Sequence, residues 1–96
     1  MTKSEIRALV ISVIKDVQKT SGREWSDING ETVPIGALDG FDSLAGMEAT
    51  ALIEEQLRQL MGLDSLGDDS VFVANKRALT LDEVCEKIIS ALSGVA

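Results

Sequence analysis

The chain of 96 residues contains no histidine and a single cysteine, Cys85. Without histidine, nucleophile activation by a Ser-His or Cys-His pair is excluded, and so is acid–base catalysis by an imidazole. One cysteine cannot form a disulfide within the chain, and a structural zinc site lacks its usual ligands. These absences remove most classes of enzyme, so we expect neither an active site nor a metal site.

Aromatic residues and proline are also scarce. Trp25, Phe41 and Phe72 are the only aromatic side chains, and Pro34 is the only proline. Apolar residues still make up 45% of the chain, which is enough for one modest aliphatic core. This composition favours packed helices over a β-sandwich, in a single domain spanning residues 1–96.

No apolar run in the sequence is long enough to cross a bilayer. A short apolar run at residues 8–14 follows basic residues, as in a signal peptide. It continues into Lys15 and Asp16 rather than into a small-residue cleavage site. We therefore expect a soluble, cytoplasmic protein without membrane insertion.

The net charge of −7 is unevenly distributed along the chain. Residues 1–23 carry +3, residues 24–69 carry −10 with Arg58 as their only basic residue, and residues 70–96 are neutral. Such an acidic surface repels nucleic-acid phosphates and attracts proteins with basic patches. We expect a monomer with protein partners and no nucleic acid.

The first of three predicted amphipathic helices begins at Thr2 or Ser4 and ends near residues 21–22. Thr2 and Glu5 have the spacing of a capping box. The predicted buried face consists of Ile6, Leu9, Val10, Val13, Ile14 and Val17.

The last predicted helix begins after a second capping box, formed by Thr80 and Glu83. Its apolar face consists of Leu81, Val84, Cys85, Ile88, Ile89 and Leu92. Because Cys85 belongs to this face, we expect a buried thiol rather than a reactive one.

The second predicted helix runs from Ser43 to about Met61, after the N-cap Asp42. Its predicted buried arc consists of Gly46, Met47, Ala49, Thr50, Ile53, Leu57, Leu60 and Met61. The predicted outward side carries Leu44, Glu48, Ala51, Leu52, Glu55, Arg58 and Gln59. Glutamates beside exposed aliphatic groups are either ordinary surface or a docking face for a protein, and this helix alone leaves both alternatives open.

Two long connections separate the three helices. Residues 23–42 show no sustained period, and their glycines and Pro34 interrupt any regular element. The apolar residues expected to anchor this connection to the core are Trp25, Ile28, Val33, Ile35, Leu38 and Phe41.

The connection from Gly62 to Thr80 has one short predicted element, a third helix over residues 71–74. Its candidate N-caps are Asp68, Asp69 and Ser70, and its candidate end is Lys76-Arg77. A strand over residues 71–73 fits the propensities nearly as well. The predicted architecture is an all-α small bundle of three main amphipathic helices plus this short third helix.

The tripeptide Asp42-Ser43-Leu44 places a hydroxyl on the first turn of an acidic helix. Backbone N–H groups at that turn have no partner within the helix, so they and the helix dipole favour an attached phosphate. The tripeptide alone favours the simpler interpretation, an ordinary N-cap followed by a tolerated serine. The long connection with Gly40 before it and the acidic helix after it make it more informative.

With these features the chain resembles the acyl carrier protein family. The resemblance covers most of the chain, from the first helix to the last, and is most specific over residues 38–57. In that family the serine of such a motif carries 4′-phosphopantetheine, so the resemblance implies covalent attachment to Ser43, flanked by Asp42 and Leu44. The residues that it implies for docking of partner enzymes are Leu44, Glu48, Glu54 and Glu55.

The resemblance implies a carrier of acyl thioesters with an acyl-carrier-protein-like bundle. A phosphopantetheinyl transferase would modify it, and acyl-transferring or condensing enzymes of fatty-acid, lipid or polyketide biosynthesis would dock on it. Two alternatives stay open: a peptidyl or aminoacyl carrier, and a non-catalytic helical adaptor that uses the acidic helix without an arm.

The sequence also departs from the family pattern. Ala45 stands where many members have an acid, which removes one contact to basic partners. Gly46, Ala49 and Ala51 are smaller than the usual aliphatic residues, which indicates either closer packing or a wider groove for a bulky acyl chain. The connection from Gly62 to Thr80 is longer than the family's common pattern.

Overall fold

The computed structural model describes residues 2–23, 28–38, 40–62 and 70–93. These residues contain four helices and a two-stranded hairpin. Their order is α1 (Lys3–Thr20), α2 (Pro34–Ala37), α3 (Ser43–Met61), β1 (Val73–Ala74), β2 (Arg77–Ala78) and α4 (Leu81–Ser93). None of the helices in these ranges combines the length and the apolar character that a bilayer crossing requires. The structure is mostly helical and fits the predicted all-α small bundle in its long helices, whereas its short elements differ from the prediction.

Helix α1 begins with the predicted capping box. Thr2 Oγ1 accepts the Glu5 amide at 3.2 Å, and Glu5 Oε1 accepts the Thr2 amide at 2.9 Å. Donation from the Thr2 amide is the main reason that the pKa of Glu5 lies below its ordinary value. All six residues of the predicted apolar face are buried, so this helix is confirmed.

Helix α1 packs against both α3 and α4, and the described apolar core is aliphatic apart from two phenylalanines and Cys85. The ring centroids of Phe41 and Phe72 are 5.4 Å apart, and the rings cross at 71° in an edge-to-face contact. This pair joins the first connection to the hairpin. Cys85 lies in the same core, as predicted, and burial raises the pKa of its thiol.

The first connection, predicted without regular structure, contains one helical turn, α2. Pro34 occupies its first position, where the backbone amide has no partner within a helix, so the lack of an N–H group in proline costs no hydrogen bond. Ile35 and Gly36 have non-helical backbone angles, with φ at +105° for Gly36. Of the predicted anchors, Leu38 and Phe41 are buried, and Ile28, Val33 and Ile35 are partly buried. Trp25 lies outside the described residues.

The predicted short helix over residues 71–74 is wrong, because this segment leads into a β-hairpin. Strand β1 pairs antiparallel with β2, in the register Val73 with Ala78 and Ala74 with Arg77. The two turn residues, Asn75 and Lys76, have positive φ of 52° and 63°, which suits a two-residue hairpin turn. The Leu79 amide donates to the Phe72 carbonyl at 2.9 Å, so that carbonyl serves the hairpin rather than a helix.

Buried hydroxyl groups attach the segment before the hairpin to helix α3. Thr50 Oγ1 accepts the Val71 amide at 3.1 Å and donates to the Gly46 carbonyl at 2.7 Å. Ser70 Oγ accepts the Phe72 amide at 3.1 Å, so Ser70 bonds locally although the helix it was predicted to cap is absent. The other two candidate caps, Asp68 and Asp69, lie outside the described residues.

Helix α4 begins with the second predicted capping box, which also binds the hairpin. Thr80 Oγ1 accepts the Glu83 amide at 3.2 Å, and Glu83 Oε1 accepts the Thr80 amide at 3.0 Å. Arg77 on β2 donates from both terminal nitrogens to the Glu83 carboxylate, at 2.8 and 3.3 Å. These donors, Arg77 first, lower the pKa of Glu83 to about 2.

We predict that Thr50→Val destabilises the protein although valine has nearly the same shape. The substitution leaves the buried Val71 amide without its acceptor, which costs about 1–3 kcal/mol. The free energy of unfolding, measured by urea titration, should fall for Thr50→Val. Thr50→Ser is the matched control because it keeps the hydroxyl. A valine variant as stable as wild type would contradict this role of Thr50.

Candidate functional site

The start of helix α3 is fixed by Asp42, as the sequence predicts. Asp42 Oδ1 accepts the Ala45 amide at 2.9 Å, and its backbone carbonyl accepts the Gly46 amide at 2.9 Å. Its extended backbone, with φ at −97° and ψ at −171°, is that of an N-cap residue. Ser43 is therefore the first helical residue.

A tight turn leads into this cap. Gly40 has φ at +63°, a conformation that glycine adopts without strain. Its carbonyl accepts the Asp42 amide at 3.0 Å, and the Phe41 amide donates to the Leu38 carbonyl at 3.1 Å. Because the Phe41 side chain is buried against Phe72, the backbone just before Ser43 is anchored in the core.

Ser43 is exposed to solvent at the first turn of a helix of 19 residues. The backbone amides of Ser43 and Leu44 form no hydrogen bond within the described part of the chain, whereas the next two amides are bound by Asp42. The site thus offers an accessible hydroxyl beside two available N–H donors at the positive end of the helix dipole. These groups fit an attached phosphodiester.

The outward side of α3 presents two acids among exposed aliphatic residues. Leu44 is 78% exposed and Leu52 is 36% exposed, and Glu48, Ala51 and Glu55 are also exposed, as predicted. Aliphatic surface rimmed by carboxylates has the composition of a protein-docking surface. We call Leu44, Met47, Glu48, Ala51, Leu52 and Glu55 the outward face.

Three residues that the sequence placed in the buried arc of α3 are exposed instead. Met47 is 45% exposed, Leu60 64% and Met61 44%. Met47 lies at the edge of the arc, and Leu60 and Met61 follow Leu57, the last buried residue of the helix. A helical wheel assumes that other segments pack against the whole length of a helix. In α3 the burial ends at Leu57, so the last turn is exposed on all sides.

The acids named for docking differ in their surroundings. Glu48 and Glu55 are exposed, whereas the side chain of Glu54 is 20% exposed and lies 3.8 Å from Arg58, one turn along the helix. An i, i+4 ion pair at a surface is weak. It still occupies one side of Glu54, so Glu48 and Glu55 are the more accessible carboxylates.

The small residues of α3 divide between its two sides. A Cβ at Gly46 would lie 3.2 Å from Ile35 Cδ1 and 3.3 Å from Ser70 Oγ, and Ala49 is fully buried. Close packing, one of the two interpretations of these residues, therefore applies at Gly46 and Ala49. Ala51 is exposed and lies on the outward face. Ala45, the departure from the acidic family pattern, is buried.

Arg23, which no motif in the sequence singles out, also belongs to this region. Arg23 Nη1 donates to the Gly40 carbonyl, the same oxygen that accepts the Asp42 amide. A Cβ at Gly40 would lie 2.5 Å from Arg23 Nε, so a glycine here also lets the guanidinium approach. The only signal in the sequence was that Arg23 is the last basic residue before the acidic segment.

Comparison of the chain with protein-family models, curated proteins and solved structures gives no match. Within the described residues no group of three or more Cys, Asp or Glu side chains is arranged to hold a metal ion.

We predict that Asp42→Ala weakens the start of α3. It removes the acceptor of the Ala45 amide and should lower the free energy of unfolding by about 1 kcal/mol. Urea titration measures the change, and amide hydrogen exchange at Ala45 locates it. Asp42→Asn is the control, since asparagine caps helices as well as aspartate. Equal stability of the two variants would contradict the capping role.

Proposed function

We propose that this protein is an acyl carrier protein that carries its cargo on a 4′-phosphopantetheine arm attached to Ser43. The observation that supports this most is the exposed Ser43 hydroxyl at a capped helix start, beside the free amides of Ser43 and Leu44. The resemblance of residues 38–57 to the carrier family gives the arm its chemical identity.

The residues around Ser43 hold the attachment point in place. Asp42 fixes the first turn of α3, and Phe41 anchors the preceding backbone in the core. The amides of Ser43 and Leu44, at the positive end of the helix dipole, stabilise the negative charge of a phosphate attached to the serine. When present, the arm supplies a terminal thiol that holds an acyl group as a thioester. The chain itself needs no general base, because a separate phosphopantetheinyl transferase performs the attachment.

The outward face is the proposed surface for the transferase and for acyl-transferring or condensing enzymes. Leu44 follows the attachment residue directly and is the most exposed large apolar residue in the part of the chain that the structure describes. Glu48 and Glu55 lie among the aliphatic residues of this face and favour partners with basic patches. A small, polar-rimmed contact of this kind binds weakly enough for partners to exchange.

Incubation of the purified protein with coenzyme A and a promiscuous phosphopantetheinyl transferase tests the attachment. Intact mass should rise by one phosphopantetheine group in wild type and stay unchanged in Ser43→Ala. Ser12→Ala, which removes an exposed hydroxyl from α1, is the matched control and should still gain the group. No gain in wild type would overturn the proposed function and favour an adaptor without an arm.

The docking role of the outward face predicts a charge-dependent affinity. The double variant Glu48→Lys/Glu55→Lys should raise the KM of the transferase for the carrier about tenfold at low salt, which corresponds to about 1.4 kcal/mol. The difference should shrink as ionic strength rises, because salt screens exposed charges.

The control for this experiment is Asp16→Lys/Glu31→Lys, which makes the same charge change at exposed positions outside α3. A KM that rises equally in both double variants would indicate a general effect of net charge and would contradict a docking face on α3.

A further inference from the structure

A concave apolar surface lies directly before the attachment residue. It has a volume of about 310 Å³ and is lined by Ile35, Gly36, Leu38, Gly40, Phe41 and Asp42. Gly36 contributes no side chain, and a Cβ added there would meet nothing within 4 Å. Asp42, one of the lining residues, is bonded directly to Ser43, so the concavity lies next to the attachment residue.

A cation stands at the same turn. The Arg23 guanidinium bonds the Gly40 carbonyl, and Gly40 also lines the concavity. That bond uses one N–H of a group that has five, and a guanidinium binds phosphate oxygens well. Arg58, the only other basic residue between residues 23 and 75, lies near the far end of α3.

We propose that this surface receives the first part of the arm: the Arg23 guanidinium pairs with the phosphodiester on Ser43, and the concavity takes the geminal dimethyl group that follows it. This inference rests on the proposed function and adds the direction in which the arm leaves the helix. The anionic group meets the cation, and the branched aliphatic group meets the apolar wall. Leu44 and Glu48 then stay uncovered for partner enzymes.

A second concavity, between the hairpin and α4, is the rival location. It has a volume of about 470 Å³ and is lined by Ser70, residues 73–76 and Lys87. The Lys87 ammonium group donates to the Ser70 and Val73 carbonyls at 3.1 and 2.9 Å, so it already holds the hairpin segment. Its lining is more polar than that of the concavity at Asp42, so the second concavity suits the dimethyl group less well.

The test is made on the phosphopantetheine-loaded protein by isotope-filtered NMR, with labelled protein and an unlabelled arm. We expect nuclear Overhauser contacts from the geminal methyl groups to Ile35, Leu38 and Phe41. Contacts to Val73 and Ala74 instead, or no contact to the first connection, would overturn the inference. These wild-type contacts decide the position of the arm without any variant.

Variants at Arg23 test the guanidinium. Arg23→Gln keeps a side-chain donor for the Gly40 carbonyl but removes the charge. It should lower the ratio of docked to undocked arm about tenfold. The ³¹P resonance of the phosphodiester should move toward that of the free arm. Arg23→Lys should retain most of the contacts, and Lys15→Gln, an equal charge change on α1, should retain all of them.

The outcomes separate the two proposals. Failure of Ser43 to gain the arm overturns the proposed function together with this inference. A full mass gain without contacts to residues 35–41 overturns this inference alone. Unchanged contacts and an unchanged ³¹P resonance in Arg23→Gln contradict the role of the guanidinium.

Discussion

The packing around Gly46 is the constraint on which the arrangement of the site depends. Ile35 from the first connection and Ser70 and Phe72 from the hairpin segment all approach this position, which a side chain would crowd. One turn later, Thr50 bonds the Gly46 carbonyl and the Val71 amide. Both long connections are therefore attached to the buried side of α3 within two turns of Ser43, and the opposite side stays free.

Features that depend on a few neighbouring residues were predictable from the sequence. The capping boxes at Thr2 and Thr80 and the N-cap at Asp42 involve partners three residues away, so the amino-acid types and their spacing determine them. The same holds for the exposure of Leu44, which lies opposite the middle of the buried arc. The family resemblance, rather than the residue pattern, identified Ser43 as an attachment site.

Features that depend on distant segments were not predictable. A strand of two residues needs a partner strand, and Lys76 at positive φ is not a residue that signals a turn. The exposure of Leu60 depends on how far the segments packed against α3 extend along it, and a helical wheel holds no such information. The approach of Arg23 to Gly40 joins residues 17 positions apart through an irregular connection, so no period or motif reveals it.

A carrier must present its attachment residue at a fixed point and still let partners reach it, and these two requirements conflict. Burial would fix Ser43 but hide its hydroxyl, whereas a free loop would expose the hydroxyl without fixing it. Here the rigidity comes from groups beside the serine, the Asp42 cap and the buried Phe41 ring, so Ser43 itself stays exposed. An adaptor that bound partners only through the outward face would need no such support at this residue. The combination of a fixed backbone and an exposed hydroxyl is what the proposed carrier role requires at this residue.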